Sequence, residues 1–198
     1  MLTTLTKIKA RLKLETADVV DDALLTNFLN LVSNRFDSEC RRTFARGAAI
    51  TEEFDGDATE LRVMRYPLEA VAGFDLKTSE TAGWVAQVFT DYVIRHSAVV
   101  SLASPLGTWR DRLRVTYTGG YVLPGTTVGA GQTALPDEVE MACLEQTVAW
   151  WRDRDRLGLS SVSGAGGSVS ALPQSVVKQI DLLPLVQNVL LTYRRFNG

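Results

Sequence analysis

The stretch LPDEVEMACLEQTVAWWRDRDR, residues 135–156, decides the fold. Pro136 suits the start of a helix, and the acids that follow it stabilise the positive end of the helix dipole. The predicted helix runs from Pro136 to Leu157. Its apolar residues, which cover more than one face, are Val139, Met141, Ala142, Cys143, Leu144, Val148, Ala149, Trp150 and Trp151. Such a helix is either enclosed in its own bundle or covered by a neighbouring subunit.

Two further helices are predicted at the start of the chain, in residues 1–49. Leu5, Ile8 and Leu12 recur at helical spacing among basic side chains, which indicates a short amphipathic helix. Asp21 and Asp22 then supply the acidic first turn of a longer helix, which is predicted to end at about Cys40. The apolar face of this second helix contains Leu25, Phe28, Leu29, Val32 and Phe36.

The periodicity changes to that of strands between residues 50 and 121. Polar and apolar side chains alternate over residues 112–117, the pattern of a half-buried strand. The segment EFDGD, residues 53–57, places an Asp-Gly turn between two flanking strands. Further strands are predicted at 71–76, 84–89 and 92–95. This region is therefore predicted to form a small antiparallel sheet.

The remaining residues complete the bundle and add a tail. Residues 122–134 form a loop rich in Gly, Thr and Pro, and the long helix extends this third section to residue 158. Residues 159–198 are predicted to be a flexible Ser/Gly linker followed by an amphipathic helix, a combination typical of a docking arm. The predicted fold class is α+β: a helical bundle of two N-terminal helices, a long third helix and a C-terminal helix, with an inserted small antiparallel β-sheet region.

The composition is that of an ordinary globular protein. The 198 residues are 45% hydrophobic and 22% charged, with a net charge of −2. This balance excludes a disordered tail and a protein that holds DNA by bulk positive charge. Two cysteines, Cys40 and Cys143, are too few for a disulfide framework and indicate a reducing compartment. Because no stretch approaches the roughly 20 apolar residues of a membrane span, we expect the host cytoplasm and no membrane partner.

Few residues point to catalysis. His96 is the one histidine, and it lies in a strand-like stretch without a nucleophilic partner, which favours a structural role. The main enzymatic alternative is a Mg²⁺-dependent nuclease. In such an enzyme the metal and a water molecule would be held by Asp75 and Lys77 at the end of one strand and by Asp55 or Asp57 on the Asp-Gly hairpin. Acidic residues at turns usually serve the turn itself, so the sequence predicts no catalytic, metal or cofactor residue.

A small helix-turn-helix module that binds DNA is the second alternative. Its positive charge would come from the helix containing Lys7 and Lys13 and from the stretch CRRTFAR, residues 40–46. Residues 1–50 carry 8 basic and 6 acidic side chains, a small excess beside the strongly basic faces of DNA-reading proteins. Solvated helix faces and cations at helix ends account for these charges.

Several short motifs follow one another along nearly the whole chain. They are DDALL at 21–25, CRRTF at 40–44, FDGD at 54–57, RYPL at 65–68, VTYTGGY at 115–121, LPDEV at 135–139 and LTYRR at 191–195. Their number and order resemble the head-to-tail connector family of tailed phages, the adaptor or head-completion proteins of long-tailed phages.

The resemblance implies a structural virion protein and no enzyme. Such adaptors form a homo-oligomeric ring, expected to be twelve-fold, beneath the portal protein at the capsid vertex. The ring extends the DNA channel and provides the attachment surface for a downstream neck or tail-terminator protein. DNA passes through it without sequence-specific binding. No cofactor and no metal are implied, and the expected location is the neck of the virion.

Two groups of residues are the candidate contacts of such a ring. The candidate subunit interface consists of Trp150, Trp151, Arg152, Arg154 and Arg156. The candidate docking arm, which would contact the portal or a neighbouring subunit, consists of Leu185, Val186, Val189, Leu190, Tyr193, Arg194, Arg195 and Phe196. The wide apolar stripe motivates the first group, and the linker before the last helix motivates the second.

Overall fold

The computed structural model of the chain describes residues 1–88, 90–154, 161–164, 167–170 and 181–195. It divides into a helical unit, Met1–Cys40 with Pro136–Gly198, and a β unit, Arg41–Leu135. The chain is therefore α+β, as the sequence predicts. The β unit extends beyond the predicted range of 50–121 at both ends, because Ala45 bridges to Tyr121 and residues 121–122 pair with residues 133–134.

The described part of the helical unit contains four helices. They are α1 (Leu5–Leu12), α2 (Asp22–Cys40), α3 (Asp137–Arg152) and α4 (Pro184–Tyr193). The Thr4 hydroxyl caps α1 by accepting a hydrogen bond from the backbone N–H of Lys7 at 3.3 Å. α3 ends before the predicted Leu157, because the charged residues after Trp151 offer no apolar side chain to continue the buried stripe. Among the helices of the described residues, none has the length and hydrophobicity that a membrane span requires.

α3 packs against α1, α2 and α4 of its own chain, which bury most of its apolar side chains. Met141 of the same stripe stays 53% exposed, so its cover by a neighbouring subunit remains a prediction. The apolar face of α2 is fully buried at Leu25, Leu29, Val32, Phe36 and Cys40, each 0% exposed. Complete burial of such a side chain contributes about 1.5–3 kcal/mol, so this stripe supplies a large part of the stability of the bundle.

The predicted linker contains two paired strands, β10 (Ser161–Gly164) and β11 (Gly167–Ser170). They run antiparallel, with Val162 opposite Val169. The sequence did not predict these strands within the flexible linker. Its Ser, Gly and Val content favours flexibility, but a β-branched residue in each segment also suits a strand, and pairing between the two decides the outcome.

The β unit contains two antiparallel sheets. The first has the order β1-β7-β3-β4, with β1 (Gly47–Asp55), β3 (Leu68–Lys77), β4 (Val85–Gln87) and β7 (Arg112–Gly119). The second has the order β2-β6-β5, with β2 (Glu60–Arg62), β5 (Tyr92–Arg95) and β6 (Val99–Leu102). β8 (Tyr121–Val122) and β9 (Thr133–Ala134) form a short parallel pair. The small antiparallel region of the prediction is thus confirmed, but as two sheets.

Both sheets contribute to one buried core. Alternate residues of β7 point inward, and side chains of β2 and β6 join them. The buried members of this core are Leu61, Val63, Leu68, Phe74, Val100, Leu102, Leu113, Val115 and Tyr117. The period-2 pattern of the sequence follows from this arrangement, because one face of each sheet is packed.

The Asp-Gly turn does not close a hairpin. β1 pairs with β7 and β2 pairs with β6, so the strands on either side of the turn belong to different sheets. Gly56 donates its backbone N–H to Asp111 O at 2.9 Å. A Cβ atom at this position would lie 2.7 Å from the carbonyl oxygen of Thr108, which explains the glycine.

His96 lies in a turn and not in a strand, contrary to the prediction. His96 and Ser97 have φ values of 50° and 51° and connect β5 to β6. A two-residue turn with both φ values positive matches the right-handed twist of the paired strands. The sequence signal was weak, because neither residue is the glycine or asparagine that usually marks such a turn.

Candidate interaction surface

The two tryptophans of the candidate subunit interface are interior residues. Trp150 and Trp151 are each 6% exposed. The guanidinium carbon of Arg154 lies 4.1 Å from the centroid of the Trp151 ring, and Arg154 Nη1 donates to Trp151 O at 3.1 Å. The chain's own helices pack on the apolar stripe that holds these indoles, which leaves little indole surface for another subunit, and their role in a subunit interface stays a prediction. Arg152 and Arg154 are exposed, and Arg156 lies outside the described residues.

The candidate docking arm has two faces. Val186 is fully buried and Leu190 is 4% exposed, so the inner face of α4 packs on the bundle of its own chain. Leu185 is 67% exposed, and Val189 is half-buried. Leu185 and Val189 are four residues apart and share one helix face, and Val186 and Leu190 share the other. The arm therefore offers Leu185 and Val189, not Val186 and Leu190, to another molecule.

Polar contacts also hold α4 to its own bundle. The buried Gln146 accepts a hydrogen bond from the backbone N–H of Leu183 at 2.8 Å. At the other end, the backbone N–H of Arg195 donates to Cys40 O at 2.9 Å, and the Tyr193 hydroxyl donates to Glu138. Arg194 is exposed, and Phe196 lies outside the described residues. These contacts fix the outward stripe of α4 in a defined orientation.

An apolar groove lies between α3 and α4, with a volume of about 450 Å³. We call it the α3–α4 groove. Its lining residues are Glu138, Met141, Ala142, Glu145, Leu183, Leu185 and Val189. Met141 is 53% exposed and Leu183 is 36% exposed, so the groove presents apolar side chains to solvent. Exposed apolar patches of this kind mark sites of protein association.

The rim of the α3–α4 groove is acidic. Glu138 and Glu145 lie on the same face of α3 as Met141, at the spacing of three and four residues that brings side chains together. Arg11 Nε donates to Glu145 Oε1 at 2.8 Å, and Arg11 Nη2 donates to Glu145 Oε2 at 3.2 Å. This hydrogen bonding, with the attraction of the carboxylate charge, raises the pKa of the Arg11 guanidinium. The groove thus combines an apolar floor with two carboxylates.

Sequence reasoning found only part of this surface. Met141 belongs to the apolar stripe of the predicted helix, and Leu185 and Val189 belong to the predicted docking arm. Leu183 was missed, because it precedes Pro184 and lies outside the helical pattern. The signal available in the sequence was the helical spacing of residues 138, 141, 142 and 145.

The residues of the nuclease alternative do not form one site. Asp55 accepts from Arg112 at 2.6 Å, and Asp75 accepts from Arg114 Nη2 at 3.0 Å. The two carboxylates lie on β1 and β3, which are separated by β7, so they are not on adjacent strands as the alternative requires. Lys77 pairs with Glu80 at 2.5 Å, and Asp57 is exposed after the turn.

Other acidic and thiol side chains do not assemble a metal site either. Within the part of the chain that the structure describes, no three His, Cys, Asp or Glu side chains are grouped as metal ligands. Cys40 and Cys143 are both buried, and neither forms a disulfide within the described residues. Burial raises the pKa of the Cys143 thiol to about 12.

The basic side chains of α1 pair with acids of the bundle, and the expectation of a solvated face is wrong for Lys9, which is buried, while Lys7 and Arg11 are exposed. Lys7 Nζ lies 2.6 Å from Glu140 Oε1. Lys9, only 4% exposed, lies 2.5 Å from Asp22 Oδ1. With Arg11 bound to Glu145, these cations stabilise the packing of α1 on its own chain. They are not displayed as the free positive face that a DNA-reading helix needs.

Three solved structures share the fold of this chain, and in each the match covers 100% of this chain and 91% of the other. A chain in "Neck of empty GTA particle computed with C6 symmetry" has a TM-score of 0.61 at 14% identity. A chain in "Neck of native GTA particle computed with C12 symmetry" has a TM-score of 0.56 at 12% identity. A chain in "Virion of native gene transfer agent (GTA) particle" has a TM-score of 0.56 at 14% identity.

No protein-family model matches the chain, and no curated protein matches it. The likeness to the solved structures is therefore one of fold, at low sequence identity. The resemblance to head-to-tail connectors that the sequence predicted is confirmed at this level.

Proposed function

We propose that this chain is a structural neck protein of a phage-like particle, a ring-forming adaptor that binds beneath the portal. The observation that carries the proposal is the fold likeness, which extends over the whole chain and includes a neck chain of a C12-symmetric particle. An adaptor of this kind extends the DNA channel and offers an attachment surface to the next neck or tail protein. Its location is the virion neck.

The proposed ring is a closed assembly of identical subunits, with twelve copies. Cyclic rings use heterologous contacts, in which two different surfaces of each subunit meet. The exposed apolar α3–α4 groove supplies one such surface. The outward stripe of α4, with Leu185 and Val189, and the exposed Arg152 and Arg154 are the remaining candidates for contact with the portal or an adjacent subunit.

The charge distribution suits a channel through which DNA moves. The net charge of the chain is −2, and the basic residues of α1 are paired within the bundle. A strongly basic lumen would retain a polyanion through counterion release, whereas a balanced one lets it pass. The adaptor therefore guides DNA without sequence-specific binding.

Purification of the full chain followed by native mass spectrometry and negative-stain electron microscopy tests the proposal. We expect closed rings of twelve copies, and co-purification of the chain with portal-containing particles. A compact monomer that does not associate with particles contradicts the proposal. A plasmid-nicking assay with Mg²⁺ supplies the enzymatic comparison. Nicking that Asp75→Ala abolishes would also contradict a purely structural role.

A further inference from the structure

The largest exposed apolar side chain of the β unit lies on an ordered loop. Trp109 is 75% exposed and is the one exposed aromatic residue in the described part of the chain. Tryptophan and arginine are the residues that most often anchor protein interfaces, and Arg110 follows it directly. An isolated exposed tryptophan next to an exposed arginine has the composition of an interface anchor.

Hydrogen bonds hold the loop that carries Trp109. Asp111 Oδ2 accepts from the backbone N–H of Thr108 at 2.7 Å and from the Thr108 hydroxyl at 2.8 Å. The backbone N–H of Gly107 donates to Gly56 O at 2.9 Å, which ties the loop to the turn after β1. The indole is thus presented by a preorganised loop, and little conformational entropy is lost when it binds.

The charges of the two surfaces are complementary. Arg110 is exposed and forms no salt bridge within the described residues, while the rim of the α3–α4 groove has Glu138, besides Glu145, which is paired with Arg11. The exposed Val19 and Val20 are the other candidate for insertion, but Asp18 and the aspartates at 21–22 surround them and would repel an acidic rim. Charge therefore selects the Trp109 loop over the Val19 loop.

We infer that Trp109 of one copy inserts into the α3–α4 groove of the next copy, with Arg110 facing the acidic rim. This inference rests on the proposed ring function and names its subunit contact. The indole packs on Met141 and Leu185, and the guanidinium approaches Glu138. Because the two surfaces differ, the contact is heterologous and propagates from subunit to subunit until the ring closes.

Complementation between two full-length variants tests the contact. One variant, Trp109→Ala with Arg110→Glu, removes the anchor and keeps the groove. The other, Met141→Lys with Leu185→Lys, blocks the groove and keeps the anchor. We expect neither variant alone to form the rings of the wild type, and we expect a 1:1 mixture to form a heterodimer in native mass spectrometry. Loss of the tryptophan anchor should weaken association by about 30-fold or more.

The matched control is Leu191→Lys, which places the same charge on an exposed leucine of α4 outside the groove. We expect this variant to form rings. Circular dichroism checks that every variant is folded. We expect folded variants because the substituted side chains are exposed. Rings that persist in either contact variant, or a mixture that stays monomeric while the wild type forms rings, overturn the inference.

Disulfide trapping detects the contact between the Trp109 loop and the α3–α4 groove whether or not a ring closes. Trp109→Cys in one protein and Leu185→Cys in another should cross-link when mixed under mild oxidation, since Cys40 and Cys143 are buried and do not compete. Val128→Cys, at an exposed loop position, replaces Trp109→Cys as the control. A wild type that stays monomeric contradicts the proposed function. Cross-linking no stronger than that of the control contradicts the contact itself.

Discussion

The buried side chain of Gln146 joins α3 to the start of α4. Gln146 is 0% exposed, and its Oε1 accepts a hydrogen bond from the backbone N–H of Leu183 at 2.8 Å. Its Nε2 donates to Asp181 O at 3.5 Å. One amide thus satisfies two backbone groups of the segment that leads into the C-terminal helix, and this fixes α4 on its own bundle.

Replacement of Gln146 with leucine should loosen α4. The leucine leaves the N–H of Leu183 without its partner, and such a loss costs about 1–3 kcal/mol. We expect faster amide hydrogen exchange across residues 184–193 and a lower free energy of unfolding in urea. Gln187→Leu is the matched control, because this exposed glutamine donates to Leu182 O at 3.0 Å and its loss should cost under about 0.5 kcal/mol. Equal exchange in the two variants would contradict this role of Gln146.

Arg42 should be intolerant of lysine. Its side chain is buried, with the guanidinium carbon 3.3 Å from the Tyr66 ring centroid, 4.7 Å from that of Phe44 and 5.2 Å from that of Tyr121. Lysine keeps the charge but loses the planar stacking and the hydrogen bond to Tyr66 O. We expect Arg42→Lys to lower the free energy of unfolding of the β unit by about 1–3 kcal/mol in urea titrations.

Arg35→Lys is the control for Arg42→Lys. Arg35 is an exposed residue of α2 that pairs with Glu39 four residues later. Exposed helical pairs contribute about 0.3–0.5 kcal/mol, so this substitution should change stability by less than that. If the two lysine variants are equally stable, the aromatic enclosure of Arg42 is not stabilising.

Tyr117→Phe should lower stability at neutral pH and much less in alkali. The Tyr117 hydroxyl donates to Glu52 and accepts from the backbone N–H of Arg65 at 3.1 Å, and losing these bonds costs about 1–3 kcal/mol. Burial, and next the bond to Glu52, raises the pKa of Tyr117 above its ordinary value of about 10.

The sign of the pH effect follows from that raised pKa. A group that holds its proton more tightly when folded stabilises the protein fully below its unfolded pKa, and the contribution is lost as pH rises through the folded pKa. The difference between wild type and Tyr117→Phe should therefore be constant up to about pH 9 and shrink above pH 10. Thermal unfolding of the wild type and of Tyr117→Phe across this pH range measures the difference in stability, with Tyr92→Phe as the control. A difference that grows in alkali would contradict the assignment.

Glu140→Ala should destabilise the helical unit more than Glu145→Ala. Glu140 is buried and accepts from Thr3 Oγ1 at 3.2 Å and from Lys7 Nζ at 2.6 Å, so its removal leaves the buried Thr3 hydroxyl unsatisfied, at about 1–3 kcal/mol. Glu145 forms a more exposed pair with Arg11, which is worth at most about 1 kcal/mol. Urea unfolding at low salt and at 0.5 M NaCl (about a 4 Å screening length) distinguishes the two variants, because salt screens the ion pairs but not the buried hydrogen bond from Thr3 to Glu140. Equal losses in both variants would contradict this order.

The helices were predictable because their signals are local. The spacing of Leu25, Leu29, Val32 and Phe36 and the acids after Pro136 place α2 and the start of α3 within a few residues of the structure. The alternation at 112–117 likewise predicts β7. In each case one buried face imposes its own period on the sequence.

The candidate site was less predictable because its residues are distant in sequence. Met141 and Leu183 come together only when α4 packs against α3. The wide apolar stripe of α3 left two interpretations open, and packing against α1, α2 and α4 chose the one that buries Trp150 and Trp151. Side-chain partners such as Arg112 for Asp55 depend on strand order, which no local pattern encodes.

The sequence by itself determined the helices, several of the strands, the α+β class and the order of segments that resembles a head-to-tail connector. Those features depend on propensity, capping and periodicity, which act over a few residues. Only the tertiary structure decided which apolar side chains stay exposed. That outcome depends on which helix faces and strands pair. Because α4 packs on α3, the predicted docking arm forms one wall of the α3–α4 groove.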